Sequence, residues 1–517
     1  MKVKRLLPMN SKALATLIVI VIMAIAPTLT TTAAAASSQS QQSSNPNDST
    51  REGAPTTSVH WAKTYGGPDI DCAESVQQTS DGGYIVAGYT YSFGAGGADV
   101  WVLKLNSTGG VTWQKTYGGS GDDYASSVEQ TSDGGYIVAG TTSSFGAGGY
   151  DVWVLKLSST GAVTWQKSYG GTGIDEAFSV QQTSDGGYIV AGTTFSFGAS
   201  GGNFWLLKLD SAGDVTWQKT YGGSGPDSAY SVQQTSDGGY IVAGTTSSFG
   251  VGAYDVWVLK LDSTGGVTWQ KAYGGFDTAH SVEQTSDGGY IVAGTTSSFV
   301  GGVYHVWVLK LNSTGAVTWQ KAYGGHSDDG ASCVEQTSDG GYIVAGYTTS
   351  FGAGGADVWV LKLDSTGGVT WQKTYGGSRD DIANAVQQTT DGGYIVAGET
   401  TSFGAGFNDF WVLKLDSDGG IVWNSGSGAS THVTNATPSD SSATITTTSV
   451  TGVNSNATVQ NTNATPQNTN ATITVQATPG VTEAASPTQI IVVVTTVTAV
   501  VLLLIVAALL DRKRKPN

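Results

Sequence analysis

Trp113 to Thr164 reads WQKTYGGSGDDYASSVEQTSDGGYIVAGTTSSFGAGGYDVWVLKLSSTGAVT. Near-copies fill the chain from Trp61 to about Gly428, led by Trp61, Trp113, Trp165, Trp217, Trp269, Trp319, Trp371 and Trp423. Successive leading tryptophans are 52, 52, 52, 52, 50, 52 and 52 residues apart, so the array holds seven full repeats and the start of an eighth. A period of this size belongs to propellers, solenoids and related arrays.

One repeat resolves into strands. Ser127 to Thr131 alternates apolar and polar residues, and Ser132-Asp133-Gly134-Gly135 makes a hairpin turn, because glycine accepts positive φ at no steric cost. Tyr136 to Thr142 is apolar nearly throughout, the pattern of a strand covered on both faces. A glycine-rich loop leads into Asp151 to Leu157 (DVWVLKL), rich in strand formers. After a Ser-Ser-Thr-Gly turn, Val163 to Tyr169 places Val163, Trp165 and Tyr169 on one face and Thr164, Gln166 and Ser168 on the other. A half-polar strand of this kind suits the outer edge of a sheet.

Four short antiparallel strands per repeat, with no helical period anywhere in the array, define an all-β fold. Radially repeated four-stranded sheets make a β-propeller, and seven repeats make a closed seven-bladed ring. A right-handed parallel β-helix is the runner-up, but its coils are usually shorter and lack paired hairpins. The chain ends favour closure. An outer strand, Val59 to Tyr65, precedes any inner strand, while the last copy, Ile421 to Ser425, lacks the following Lys-Thr-Tyr-Gly-Gly. The N-terminal strand is therefore expected to complete the seventh blade and remove an exposed edge. The propeller is expected to span 59–428.

Outside the array the chain reads as a surface protein. Residues 1–36 form a secretory signal, with Lys2, Lys4, Arg5 and Lys12 before the apolar run Ala13 to Ala26. Residues 37–58 are a Ser/Gln/Asn-rich lead-in without core-forming residues. Residues 429–488 are rich in Thr, Asn, Ser and Ala and are expected to form a solvated stalk. The sequons at Asn435, Asn456, Asn463 and Asn470 are expected to carry glycans, and Asn47, Asn106 and Asn312 also head sequons. Residues 489–510 are a membrane span, since Ile490 to Leu510 holds 21 residues without a charge, enough to cross about 30 Å of hydrocarbon. Asp511-Arg512-Lys513-Arg514-Lys515 follows, which leaves the tail 511–517 in the cytoplasm. A single-pass membrane protein with its propeller outside the cell is the expected topology.

The formal net charge is −16 and the pI about 4.6. An acidic chain lacks the clustered Lys and Arg that phosphate binding needs, so nucleic acid is not the expected partner. An extracellular protein or glycan is. Lysines at fixed repeat positions, such as Lys104 and Lys115, are better explained as structural. Cys72 and Cys333 fall in repeats one and six, which are not neighbours around a seven-fold ring, and are expected to remain buried thiols rather than a disulfide.

Two kinds of loop share one face, and loops on a rigid scaffold are where binding usually resides. The loop before each inner strand carries acids, among them Asp122, Asp123, Asp175, Glu176, Asp328, Asp329, Asp380 and Asp381. Such hard oxygen donors suit Ca²⁺, but one or two carboxylates per loop are too few alone. Turn capping or bonding to a neighbouring blade is the favoured reading. The loop after each second strand carries a phenylalanine, including Phe145, Phe197 and Phe351. Exposed, these rings are sugar-stacking platforms; a residue present in every blade is more often packing. Repeats five and six depart most visibly from the others, with His280, His305, His326 and Cys333. Zinc is the metal such residues suit if they converge, although drift between repeats explains them more simply and no cofactor is expected.

The Asp-Gly-Gly-Tyr-Ile-Val-Ala-Gly hairpin, the Asp-Val-Trp-Val-Leu-Lys-Leu strand and the Ser-Thr-Gly turn resemble the delta-60-type and related β-propeller repeats of archaeal and bacterial surface proteins. The resemblance covers about Trp61 to Gly428 and implies the fold, with no catalytic residues to carry over. The stalk with a terminal anchor is similar to that of archaeal cell-envelope proteins.

No nucleophile elbow, His-Glu-x-x-His or nucleotide loop occurs. The expected function is a non-enzymatic binding, adhesion or envelope-organising module. The alternatives are a carbohydrate-active protein, lectin-like or hydrolytic, using the acidic Phe-bearing face, and a purely structural envelope spacer. Hydrolysis calls for two carboxyl groups flanking a substrate, about 5 to 9 Å apart.

Overall fold

The computed structural model describes residues 60–421 apart from 95, 147, 251–252, 275–276, 299–301 and 405. It also describes six short stretches between 430 and 475, which pair with outer strands. The expected signal, lead-in, span and tail, most of the stalk, and Asn47, Asn435, Asn456, Asn463 and Asn470 lie outside the described residues. Among the described residues no helix is long and apolar enough to cross a membrane.

The ring has seven blades: 71–118, 123–169, 175–221, 227–273, 277–323, 329–376, and 381–415 closed by 61–65. Each blade runs inner, second, third and outer strand, every neighbour antiparallel. In blade 2 these are Asp123–Gln130, Tyr136–Thr142, Asp151–Leu157 and Val163–Tyr169. In blade 2 the second and third strands are buried at every position, as their largely apolar runs require. The N-terminal strand Trp61–Tyr65 pairs antiparallel with Asp409–Leu415 and supplies the outer strand of blade 7, so ring closure follows the expected route.

The core is a set of layers between blades. Ile85, Ala87, Val100 and Val102 of blade 1 pack against Tyr136, Val138, Trp153 and Leu155 of blade 2, and six equivalent clusters complete the ring. The two tryptophans of each repeat differ in burial. Trp101 and its third-strand counterparts are fully buried, whereas Trp113 on the outer strand is half-buried. Trp113 leans edge-on against Tyr136 of the next blade, and its indole N–H donates to the Ser159 carbonyl at 3.1 Å. Lys104, nearly fully buried, donates to the Leu105 carbonyl and to Asp81 in the hairpin turn. The same lysine–aspartate pair recurs in all seven blades, which confirms its structural role.

A hydrogen-bonded belt runs around the channel. The Gln130 amide donates to the Gln77 side chain at 2.5 Å, the Gln182 amide to Glu129 at 2.5 Å, and so on until the Gln78 amide donates to Gln387 at 2.6 Å. Each bond contributes on the order of 1 kcal/mol, and the belt links every blade to the next. Four belt positions are glutamine and three are glutamate: Glu129, Glu283 and Glu335. Burial pushes the first two carboxyl groups up to about 7 and the third up to about 8, the last also raised by Glu283.

These carboxyl groups sit above their unfolded value, near 4.5, so the folded state favours their neutral form. The stability they contribute is complete below about pH 4.5 and is lost as pH rises through about 7 to 8. Replacing all three with glutamine, the residue four blades already use, is expected to raise the unfolding midpoint at pH 9 and leave it unchanged at pH 4. Thermal melts across that range measure the difference. Equal slopes for both proteins would show that the three acids do not titrate on unfolding.

Candidate functional site

The inner strands repeat Asp-x-Ala-x-Ser-Val-Gln-Gln with small changes, and all seven share one irregularity. In blade 2, Ala125 faces Gly140 and Ser127 faces Ala139, which leaves Ser126 without a partner in the ladder. The second-strand glycine permits this approach, because a Cβ on Gly140 would collide with the Tyr124 carbonyl oxygen. The same bulge recurs in every blade. A bulge re-aims a side chain that regular pairing would commit to the sheet.

The bulged residues are Glu74, Ser126, Phe178, Tyr230, His280, Ser332 and Asn384, and all seven line one cavity of about 700 Å³ at the mouth of the central channel. The preceding Ala and the later Val of each inner strand never change between blades; the bulged position takes six residue types. Two positions before it the column also varies: Cys72, Tyr124, Glu176, Ser228, Thr278, Gly330 and Ile382. Two of these side chains, Tyr124 and Cys72, meet the second strand of the preceding blade. The Tyr124 ring meets Tyr89 nearly at right angles with centroids 4.9 Å apart, and the Cys72 thiol donates to Glu399 at 2.5 Å.

Aromatic rings form much of the wall. Phe178, Tyr230 and His280, on three successive blades, stand in a row with centroids 5.1 and 5.4 Å apart. On blades 1 and 2, Tyr89, Tyr124 and Tyr150 form a second group, and the Tyr124 hydroxyl lies 2.9 Å from that of Tyr91. Two carboxyl groups, Glu74 and Glu176, line the cavity, and no Lys or Arg does. Burial, reinforced by the charge of Glu399, pushes Glu74 up to about 7. Burial and then the charge of Asp175 raise Glu176, while burial lowers His280. Further along the inner strands, a smaller cavity of about 240 Å³ is lined by Val76 and its six counterparts, the belt residues and Cys333.

Of the acids singled out in the sequence, only Glu176 reaches the mouth cavity. Asp123, Asp175, Asp329 and Asp381 are fully buried staples. Asp123 accepts from the Gly119 amide at 2.8 Å, the Ser144 hydroxyl at 2.7 Å and the Thr142 hydroxyl, and the other three repeat this pattern. Asp122, Asp328 and Asp380 accept the amides of Ala98, Tyr304 and Ala356 at 2.9 Å, tying each loop to the preceding blade. Phe145, Phe197 and Phe351 lean on Trp153, Trp205 and Trp359 and join the interblade clusters, so packing rather than display is their role here.

The three histidines are not brought together. His280 lines the mouth, His326 is exposed in a loop, and His305 is buried where most blades have Asp. Its ring nitrogens lie 3.2 and 3.3 Å from the Val303 and Gly325 carbonyl oxygens. Among the described residues no group of three His, Cys, Asp or Glu could hold a metal ion. Both cysteines are free, Cys72 buried and Cys333 partly so. Asn106 and Asn312 are exposed heads of turns, each accepting from an amide two residues on at 2.9 Å.

The cavity was legible in one way that motif searching misses. Aligning the repeats column by column isolates two variable positions in an otherwise near-constant inner strand, and those columns depart from symmetry in every blade, beside the changes in repeats five and six. The large exposed apolar residues among those described also gather at this end of the blades: Ile70, Tyr91, Ile174, Phe195, Tyr254, Tyr304 and Phe407.

Fold and cavity together define a seven-bladed β-propeller with a diversified channel mouth. No family model matches the chain, and no curated protein does. Among solved structures it is similar to a protein of unknown function from Bacteroides caccae, at 11% identity and a TM-score of 0.31, over 54% of this chain and 90% of that one.

The staple reading of Asp123 has a measurable consequence. Asp123→Ala strips three donors of their acceptor inside the ring and is expected to cost about 1–3 kcal/mol in urea unfolding. A change within about 0.5 kcal/mol, the size of an ordinary surface substitution, would show that the loop does not depend on it.

Proposed function

We propose that this protein is a non-enzymatic binding module displayed outside the cell on a single membrane anchor, with its ligand seated in the channel mouth. The observation that carries this reading is the bulge column: seven blades built from nearly one sequence present six different side-chain types to one cavity. A structural spacer has no need of such diversity, because the scaffold is already complete without it. A rigid ring with one concave, aromatic and polar recess is the usual form of a small-ligand site. The exposed rings around the recess extend the surface available to a larger extracellular protein or glycan.

The carbohydrate-active alternative moves with the site. Its stacking platforms become Phe178 and Tyr230, since the repeated loop phenylalanines lean into the blades. Hydrolysis draws less support, because acid–base pairs work by having their pKa values pushed apart. Burial moves Glu74 and Glu176 in the same direction. Calcium is not required by this reading, as the loop carboxylates already accept amides and hydroxyls.

Screening the full-length protein in neutral detergent against a glycan array and a panel of small metabolites tests the proposal. Binding is expected to fall at least tenfold in a Phe178→Ala, Tyr230→Ala double variant, and to persist in Asp380→Ala and in the presence of a calcium chelator. Binding that survives loss of both rings but fails in Asp380→Ala would move the site to the rim. Turnover of a glycan substrate would replace the reading with an enzymatic one.

A further inference from the structure

The chemistry of the mouth narrows the ligand class. Its wall combines two carboxyl groups with six rings, those of Tyr89, Tyr124, Tyr150, Phe178, Tyr230 and His280, and among the described residues contains no Lys or Arg. Neither Glu74 nor Glu176 has a hydrogen-bond or ion-pair partner among the described residues, although each is partly withdrawn from water. An unpartnered carboxylate inside a protein is costly unless a counter-charge arrives. Among the described residues no Lys or Arg lines the cavity, and every third-strand lysine is committed to its hairpin aspartate.

Ring faces supply the other half of the argument. An aromatic face is electron-rich and attracts a cation lying within about 6 Å of its centroid. Phosphate, sulfate and carboxylate ligands find no lysine or arginine counter-charge in such a recess and face the repulsion of its carboxylates. A metal ion finds no group of three ligands there. An organic ammonium joins a positive charge to an alkyl body, so it satisfies both the rings and the acids.

We infer that the channel mouth is a receptor site for an organic ammonium group, held against the Phe178–Tyr230 wall and neutralised by Glu74 and Glu176. The inference rests on the placement of the ligand site proposed above and adds its chemistry. Two sources present this group, a free quaternary amine and the lysine side chain of an extracellular peptide.

Proton linkage follows from the surroundings of the acids. Glu74 faces Glu399, Cys72 and Tyr89; Glu176 faces Asp175, Tyr150 and Tyr230, with Asp122 behind Tyr150. Burial pushes the Cys72 thiol and the Tyr89 and Tyr230 phenols upward, so these stay neutral between pH 5.5 and 8.5. Glu74 is protonated below about pH 7 and charged above it. A bound cation favours the charged form, so affinity rises with pH and binding near neutrality releases protons.

Isothermal titration of the full-length protein in a non-ionic detergent tests this with choline, its uncharged isostere 3,3-dimethylbutanol, and trilysine. Choline or trilysine is expected to bind at least tenfold more tightly than the isostere at pH 8.5. The preferred cation is expected to weaken several-fold at pH 5.5, and its heat to vary with buffer ionisation enthalpy. Glu74→Gln is expected to reduce the pH dependence, leaving only what Glu176 contributes. Tyr230→Phe, which keeps the ring, is expected to retain affinity that Tyr230→Ala loses by about tenfold. Preference for choline or for trilysine assigns the source. Equal binding of choline and the isostere overturns the inference, as does capture of a neutral oligosaccharide with no response to either cation. That second result leaves the mouth-site reading intact. Should Glu74→Gln fail to fold, Glu176→Gln and the isostere comparison decide the matter alone.

Discussion

The pairing of Trp61–Tyr65 with Asp409–Leu415 is the constraint on which the molecule depends. A blade buries one face only against the next blade, so an open array of seven leaves two apolar faces uncovered. The first strand of the array, laid on the last blade, turns the array into a ring. The Gln/Glu belt then runs without interruption from blade 7 into blade 1, through the Gln78 amide and Gln387. Closure also fixes the radius of the channel, and thereby brings seven bulged side chains around one cavity.

Within the ring the division of labour is sharp. Residues that repeat without change are those whose contacts repeat: the staple aspartates, the hairpin lysines, the third-strand tryptophans and the second-strand glycines. Each is fixed by a local demand, such as a loop amide needing an acceptor or a strand needing close approach. The bulged residue has no such demand. It is released from the ladder, lines the cavity, and can vary without disturbing a blade. A repeat protein thereby gains one asymmetric surface at little cost to its scaffold.

This also explains why acids in the same few residues behave so differently. Asp175 and Glu176 are adjacent in sequence. The first is fully buried and held by the Gly171 amide and the Ser196 and Thr194 hydroxyls, and the second lines the cavity without a partner. Strand geometry sends neighbours to opposite faces, so one carboxylate staples a loop and the next faces the channel.

The sequence by itself determined the repeat period, the four strands of each blade, the closing strand and the structural nature of Lys104, because these depend on spacing, alternation and turn chemistry within one repeat. It also raised the staple reading of the loop acids and the packing reading of Phe145, since features present in every blade are explained most simply by the scaffold. Only the tertiary structure decided where the ligand-sized space lies. Phe178, Tyr230 and His280 follow one another at 52 and 50 residues and Glu74 lies 104 residues before Phe178, and a one-residue slip in the inner strand turns each toward the axis. The sequence contained their variability, but a ring had to close before those side chains faced a common cavity.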